Sequence, residues 1–296
     1  KFIGNDLNPY AYLISKAKFD RNGKDKEIKY LKKINLDKLK KPETNKIPDW
    51  VKEYYHQETL IEILKIRDLL IKDNKSFLLG CLLGIIHGHR PQHLSIRTGY
   101  IIPYIPKPKP KKEYREVIPR LVQKVIRMYT DDLPSSIKGK IICEDAKKLS
   151  IKNDAIDLVI SSPPYYHTLD YVHSNRLRLW FSGMNDNHQL EIKEKLIQHR
   201  DTYIEEMNLV GAEIKRVLKP NGIVVFILGD VHLGKYKTLN TAKDISEIFS
   251  SLNFKTHKII EDEIPADRTT IVKYGGDSSI KKKRRKLDRI LIMSNE

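Results

Sequence analysis

One short stretch of this chain has the residue types for handling a weak nucleophile: Ser162-Pro163-Pro164-Tyr165, at the end of the run "DLVISSPPY". Neither proline has an N–H to donate to a strand ladder. The stretch therefore predicts a strand and then a stiff, extended loop. That loop holds two hydrogen-bond acceptors in place, the Ser162 hydroxyl and the Pro163 carbonyl. Such acceptors suit the planar exocyclic amine of a nucleobase, whose lone pair is delocalised into the ring. Accepting bonds from the amine hydrogens draws nitrogen toward tetrahedral geometry, and acceptors already in position need not reorganise. Tyr165 offers a face on which an extruded base can stack. A proline-stiffened turn with packing tyrosines gives the same tetrapeptide, so both readings stand at this point.

Two acids close other strand-like runs: Asp6 after "KFIGN" and Asp145 after "KIICE". Ligands of open α/β sheets bind beyond the carboxyl ends of the strands, where a carboxylate can accept from ribose hydroxyls or an adenine amine. Aspartates are also common in plain turns. Three histidines, His87, His89 and His93, fall within "HGHRPQHLS". No cysteine pair or HExxH spacing accompanies them, so no metal site is assigned. The preferred reading is a DNA-facing loop with Arg90 and His93 as phosphate or base contacts, continued by "SIRTGYIIPY" with Arg97. A second phosphate-contacting loop is expected at Lys281, Lys282, Lys283, Arg284 and Arg285, the alternative being a solvated basic loop. Tyr166, His167 and Asp170 are candidates to line the pocket. Tyr171, Leu177, Leu179 and Trp180 read as helix packing, and no general base is assigned.

The elements that must position these residues fall into two textures. "KFIGNDLNPYAYLISKAKF" reads as a strand end, an acid, then a helix capped by Asn8 with Pro9 in its first turn. Residues 20–50 are lysine-rich and weakly periodic, as in a solvated connector. From Gln57 to Gly88 the pattern is helical, with Gly80, Gly84 and Gly88 spaced by four for close helix packing. A proline-rich basic strap follows, then a helix with Pro119 at its start or at a kink. Beyond residue 136, apolar strands alternate with amphipathic helices, which predicts an α/β domain with a mainly parallel sheet. The expected division is a discontinuous α/β core, 1–20 plus 136–296, with a mostly helical insertion at 21–135.

The formal charge of +17 over 296 residues points to a polyanionic partner, nucleic acid before membrane, although a lysine-rich proteome also raises such a charge. Cys81 and Cys143 lie in apolar runs, as buried thiols of a reducing compartment do. No apolar run approaches the roughly 18 residues of a membrane span, and no signal peptide is visible. The chain starts at Lys1 and not at Met, so the true start is expected upstream.

On "DLVISSPPY" the sequence resembles the amino-group DNA methyltransferases that use S-adenosylmethionine, and Ser-Pro-Pro-Tyr is the spelling typical of N4-cytosine enzymes. "FIGNDLNPYAYLISKAKF" and "IICEDAKKL" resemble the family's next cofactor motifs, and "VLKPNGIVVFILGD" its later helix-turn-strand. The resemblance covers the two α/β pieces and not the insertion. It implies a Rossmann-like methyltransferase core, with Asp6 and Asn8, then Asp145 and Ala146, and Ser161 at the cofactor. Ser162 to Tyr165 become the catalytic motif. It implies methylation of cytosine N4 in double-stranded DNA, alongside a cognate restriction endonuclease and in a cytoplasmic, nucleoid-associated setting. Adenine N6, RNA, and a non-catalytic DNA-binding subunit are the alternatives. The family's glycine-rich first motif is not matched, since no Gly-x-Gly occurs in this chain. Another segment or another chain is expected to supply it.

Overall fold

The computed structural model describes residues 1–88, 90–97, 102–129, 138–164, 170–197, 199, 201–233, 237–263 and 287–296. These divide into two compact units, residues 1–143 with 171–194, and residues 144–170 with 195–296. The units run differently from the expected core and insertion. The first strands and the segment after the Ser-Pro-Pro loop belong with the helical part.

In the first unit, β1 (Phe2–Asn5) and β2 (Gly139–Ile142) pair in parallel, from Phe2 opposite Gly139 to Asn5 opposite Ile142. A Cβ at Gly139 would lie 2.1 Å from the Phe2 ring, so the close approach requires glycine. The unit also holds α1 (Pro9–Phe19), α2 (Lys24–Lys32), α3 (Asp49–Lys52), α4 (Gln57–Lys72), α5 (Ser76–Ile85), α6 (Val117–Met128), α7 (Tyr171–Phe181) and α8 (Asp186–Lys195). Asn8 caps α1 by accepting from the Tyr10 N–H, and Pro9 follows in the first turn, as expected. The helical run from Gln57 splits where Asn74 turns left-handed, φ 51°, a conformation that asparagine tolerates and that ends helices. Gly80 lies against Ala17 of α1, and Gly84 against Lys124 of α6. Gly88 lies beyond the end of α5.

Two expectations are corrected here. The lysine-rich stretch 20–50 is not a solvated connector. It holds α2 and two 3-10 turns, Leu36–Lys38 and Thr44–Lys46, and Leu31 is fully buried in a core with Val51, Ile63, Leu78 and Leu121. Its apolar residues are sparse, but Leu31 is in the core and Ile28, Tyr30, Ile34 and Leu36 pack against it. Cys81 is buried, but Cys143, just past the end of β2, is exposed.

In the second unit, four strands lie in the order β3 (Ile156–Ser161), β4 (Leu218–Gly229), β8 (Leu287–Asn295), β7 (Phe254–Glu263). A small antiparallel pair, β5 (Val231–Leu233) and β6 (Lys237–Leu239), stands apart. Two helices, α9 (Tyr203–Val217) and α10 (Thr241–Ser251), complete the unit. Val224, Phe226 and Leu228 of β4 alternate into a core with Met207 and Ile214 of α9 and Ile245 and Phe249 of α10. Leu291 and Met293 of β8 join it. The fold is α/β, as expected, but the sheet is mixed. β3 and β4 are parallel, and β8 is antiparallel to both β4 and β7. No helical pattern separates β7 from β8 in the sequence, and an antiparallel neighbour needs no crossover helix.

Candidate active site

The Ser-Pro-Pro loop begins where β3 ends. Parallel pairing with the long strand β4 sets Ser161 opposite Phe226, which is buried, and so fixes the position of the strand end. Ser162 is exposed just beyond it, Pro163 is buried and Pro164 is half-buried. The loop is pinned from α9, where the Tyr203 hydroxyl donates to the Pro164 carbonyl at 3.1 Å. Tyr203 is itself 1% exposed, so the pin is rooted in the core. Among the described residues no hydrogen bond engages the Ser162 hydroxyl or the Pro163 carbonyl. The exposed serine, the buried proline and the tethered carbonyl together make a rigid strand end with acceptors to offer. Tyr165, Tyr166 and His167 lie outside the described residues.

Asp145 lies in the same unit, in the loop that leads to β3. One carboxylate oxygen accepts from the Lys147 N–H at 2.9 Å, which folds the loop back on itself. The Lys147 ammonium bridges Asp145 at 3.6 Å and Glu206 of α9 at 3.1 Å. Ala146 packs on the core. A second clamp holds the far end of this loop. Arg216 of α9 donates to the carbonyls of Ile151 and Leu149, at 2.8 and 3.0 Å, and to Asn153. The Arg216 guanidinium also forks onto the Glu213 carboxylate, at 2.8 and 2.6 Å. Glu213 accepts from the Leu149 N–H as well, and these bonds, that of Arg216 first, hold its carboxyl below the usual range.

Asp6 and Asn8 belong to the first unit. The Asp6 N–H donates to the Ile142 carbonyl, so the acid stands at the carboxyl ends of β1 and β2 together. One Asp6 oxygen accepts from the Asn8 N–H at 2.8 Å. Although the residue reaches the surface, desolvation of its carboxyl by neighbouring groups raises the pKa, and the Asn8 bond offsets part of that rise. In Asp6 and in Asp145, each within its own unit, one oxygen closes the local turn, and the other Asp145 oxygen faces the Lys147 ammonium at 3.6 Å. Each carboxylate by itself fits a donor such as a ribose hydroxyl or the adenine amine of S-adenosylmethionine.

The histidine loop is also in the first unit, and it is more tightly built than its sequence suggests. His87 is fully buried, with its Nδ1 3.0 Å from the Ser95 hydroxyl and its ring edge-on to Tyr54. Burial, then the nearby Arg178 guanidinium, pushes the His87 pKa down to about 4. Arg115 reaches in from the strap to the carbonyls of His93, at 2.9 Å, and Ser95. Arg178 of α7 donates to the His87 carbonyl at 2.9 Å. The His93 Nδ1 lies 3.1 Å from both the backbone N and the carbonyl of Arg90, so its ring closes the turn. Arg90 and Arg97 are exposed. Among the described residues no group of three potential metal ligands occurs. His89 and the cations from Lys281 to Arg285 lie outside the described residues.

Nothing in the sequence marks Tyr203, Arg115 or Arg216, which hold the loops in place. The loop groups they hold are between 20 and 67 residues distant along the chain.

No family model and no curated protein matches the chain. Among solved structures, a Thermus thermophilus protein described as a candidate DNA modification methylase, and complexed with S-adenosyl-L-methionine, is 20% identical with a TM-score of 0.33. The alignment covers 51% of this chain and 53% of that one. A Methanosarcina mazei protein described as a SAM-dependent methyltransferase is 12% identical with a TM-score of 0.31, over 60% of this chain and 76% of its own. The chain thus spans about half the length of the Thermus protein, and the overlap assigns no role to any residue.

Proposed function

We propose that this chain is a site-specific DNA methyltransferase that uses S-adenosylmethionine and acts on the exocyclic N4 of cytosine. The observation that carries the reading is the pinned strand end: an exposed Ser162, a buried Pro163, and a Pro164 carbonyl tied to Tyr203. When bound, the cofactor supplies an electrophilic methyl group. In the second unit, Asp145, Ala146 and Ser161 are the residues that would hold it; Asp6 and Asn8 of the first unit keep the cofactor role that the sequence resemblance implies. The flipped cytosine stacks on Tyr165 and donates its amine hydrogens to the Ser162 hydroxyl and the Pro163 carbonyl. The nitrogen lone pair would form the new N–C bond as the methyl–sulfur bond breaks, leaving S-adenosylhomocysteine as the neutral thioether, and the surplus proton would pass to water. Arg90, His93 and Arg97, with Lys281 to Arg285, contact duplex phosphates, a role that suits the charge of +17. A restriction–modification setting, with a cognate endonuclease, completes the reading.

The test is Ser162→Ala. Removal of one preorganised polar contact of this kind costs about 10²–10³ in turnover. Methyl incorporation into duplex DNA should fall by that order with near-normal cofactor binding. Undiminished incorporation removes the hydroxyl from the mechanism, and no incorporation by the intact protein overturns the reading.

A further inference from the structure

The first unit contains a cleft of about 500 Å³ with no part in the site described above. One wall is the segment from Lys38 to Lys46, the other is α4 from Leu64 to Lys72, and Trp180 of α7 lines it as well. Seven of the lining residues are cations and only two, Glu43 and Asp68, are acids. Both acids are already taken, Glu43 by Lys46 and Asp68 by Arg67, each at 2.6 Å. Lys65 donates to the Leu36 carbonyl at 2.8 Å. Lys38, Lys40, Lys41 and Lys72 are left, all exposed and none paired with a carboxylate among the described residues. Such a concentration of like charge costs self-repulsion, which a bound anion would relieve.

The shape narrows the anion. The α4 wall extends over eight residue steps, about 12 Å at 1.5 Å each. Phosphates of one DNA strand follow at about 3.4 Å along the axis, so this wall faces three to four of them. Trp180, half-buried beside Phe181 with ring centroids 4.8 Å apart, adds a flat apolar surface among the cations. Arg178, which reaches the histidine loop, is two residues from Trp180. Two steps on a helix turn through about 200°, so α7 has the cleft and the histidine loop on different sides.

We infer that this cleft is a binding site for the phosphate backbone of duplex DNA, separate from the histidine loop. The choice of DNA rests on the methyltransferase reading; the demand for phosphate does not. Lys38, Lys40, Lys41 and Lys72 hold successive phosphates.

The experiment replaces these four lysines with glutamine and measures binding of a labelled DNA duplex over a salt series. A control with the same charge change replaces Lys24, Lys26, Lys29 and Lys32 on α2. Each lost phosphate contact lowers the log–log salt slope by about 0.9. The cleft variant should therefore lose about 3.6 in slope and at least about tenfold in affinity at moderate salt, while the control loses less than about 1. Equal losses in the two variants, or no loss, overturn the site. Competition by inorganic tripolyphosphate, with duplex binding unaffected by the variant, overturns the assignment to DNA. An intact protein with no affinity for duplex overturns it as well. Methyl incorporation by the intact protein is scored separately. If the cleft governs binding and no methyl is transferred, the proposed activity fails and the cleft stands.

Discussion

The tether between Tyr203 and Pro164 gives the sharpest prediction about how the fold serves the candidate site. Tyr203→Phe keeps the buried ring and removes only the hydroxyl that donates to the Pro164 carbonyl at 3.1 Å. A neutral hydrogen bond contributes about 1 kcal/mol net. Pro164 is half-buried, so water can replace the lost donor, and the loss should stay near that value. For a unit of this size about 1 kcal/mol lowers Tm by about 3–5 °C. If the pinned geometry is the one in which Ser162 and the Pro163 carbonyl engage the amine, the same ~1 kcal/mol reduces kcat about fivefold. Thermal unfolding and single-turnover methyl transfer, the latter well below Tm, check the two effects separately. A lower Tm with unchanged kcat would mean that Tyr203 only braces the fold. With both unchanged, the tether is irrelevant and the reasoning fails.

Three further outcomes follow from the same structure. Arg216→Leu frees the loop that carries Asp145 and leaves the Glu213 carboxylate without its guanidinium, so calorimetry should show a lower unfolding temperature. Arg216→Lys should recover little of the loss, because an ammonium cannot fork. Burial lowers the His87 pKa to about 4, so the ring stays neutral in the fold but takes a proton in the unfolded chain below about 6.5. Its contribution is therefore complete above about pH 6.5 and is lost as pH falls toward 4, by about 3 kcal/mol; in a Tm-against-pH series, His87→Gln should flatten that window. At Gly80 an added Cβ would meet the Ala17 Cβ at 2.6 Å, both attached to backbone. Overpacking by about 1–3 kcal/mol, offset by about 1 kcal/mol of helix propensity, should make Gly80→Ala net destabilising in denaturant titrations, with Ala17→Gly restoring it.

Much of the fold was legible because its elements are marked locally. Asn8 and Pro9 announce α1, and the continuous apolar run of β4 announces a strand that alternates into the core, whereas β3 leaves Leu158 and Ile160 exposed. The glycines at 80 and 84 announce close helix packing. The lysine-rich region of α2 was not legible, because Leu31 and its few apolar neighbours are diluted among charged residues in the sequence. The antiparallel return of β8 leaves no mark in its own apolar run; its one signal is the lack of a helical pattern between β7 and β8. At the site, the acceptors could be read at Ser162 and Pro163, but what fixes them could not. Tyr203 and Arg216 look like ordinary residues of an amphipathic helix until the fold brings Pro164 and the 149–153 backbone to them.

The central claim is methyl transfer to cytosine N4 in DNA. Its most direct test is to incubate the intact protein with labelled S-adenosylmethionine and duplex DNA, digest the DNA, and identify the labelled nucleoside. The account predicts N4-methylcytosine. Label on N6-methyladenine alone, label in RNA but not in DNA, or no label at all would contradict it.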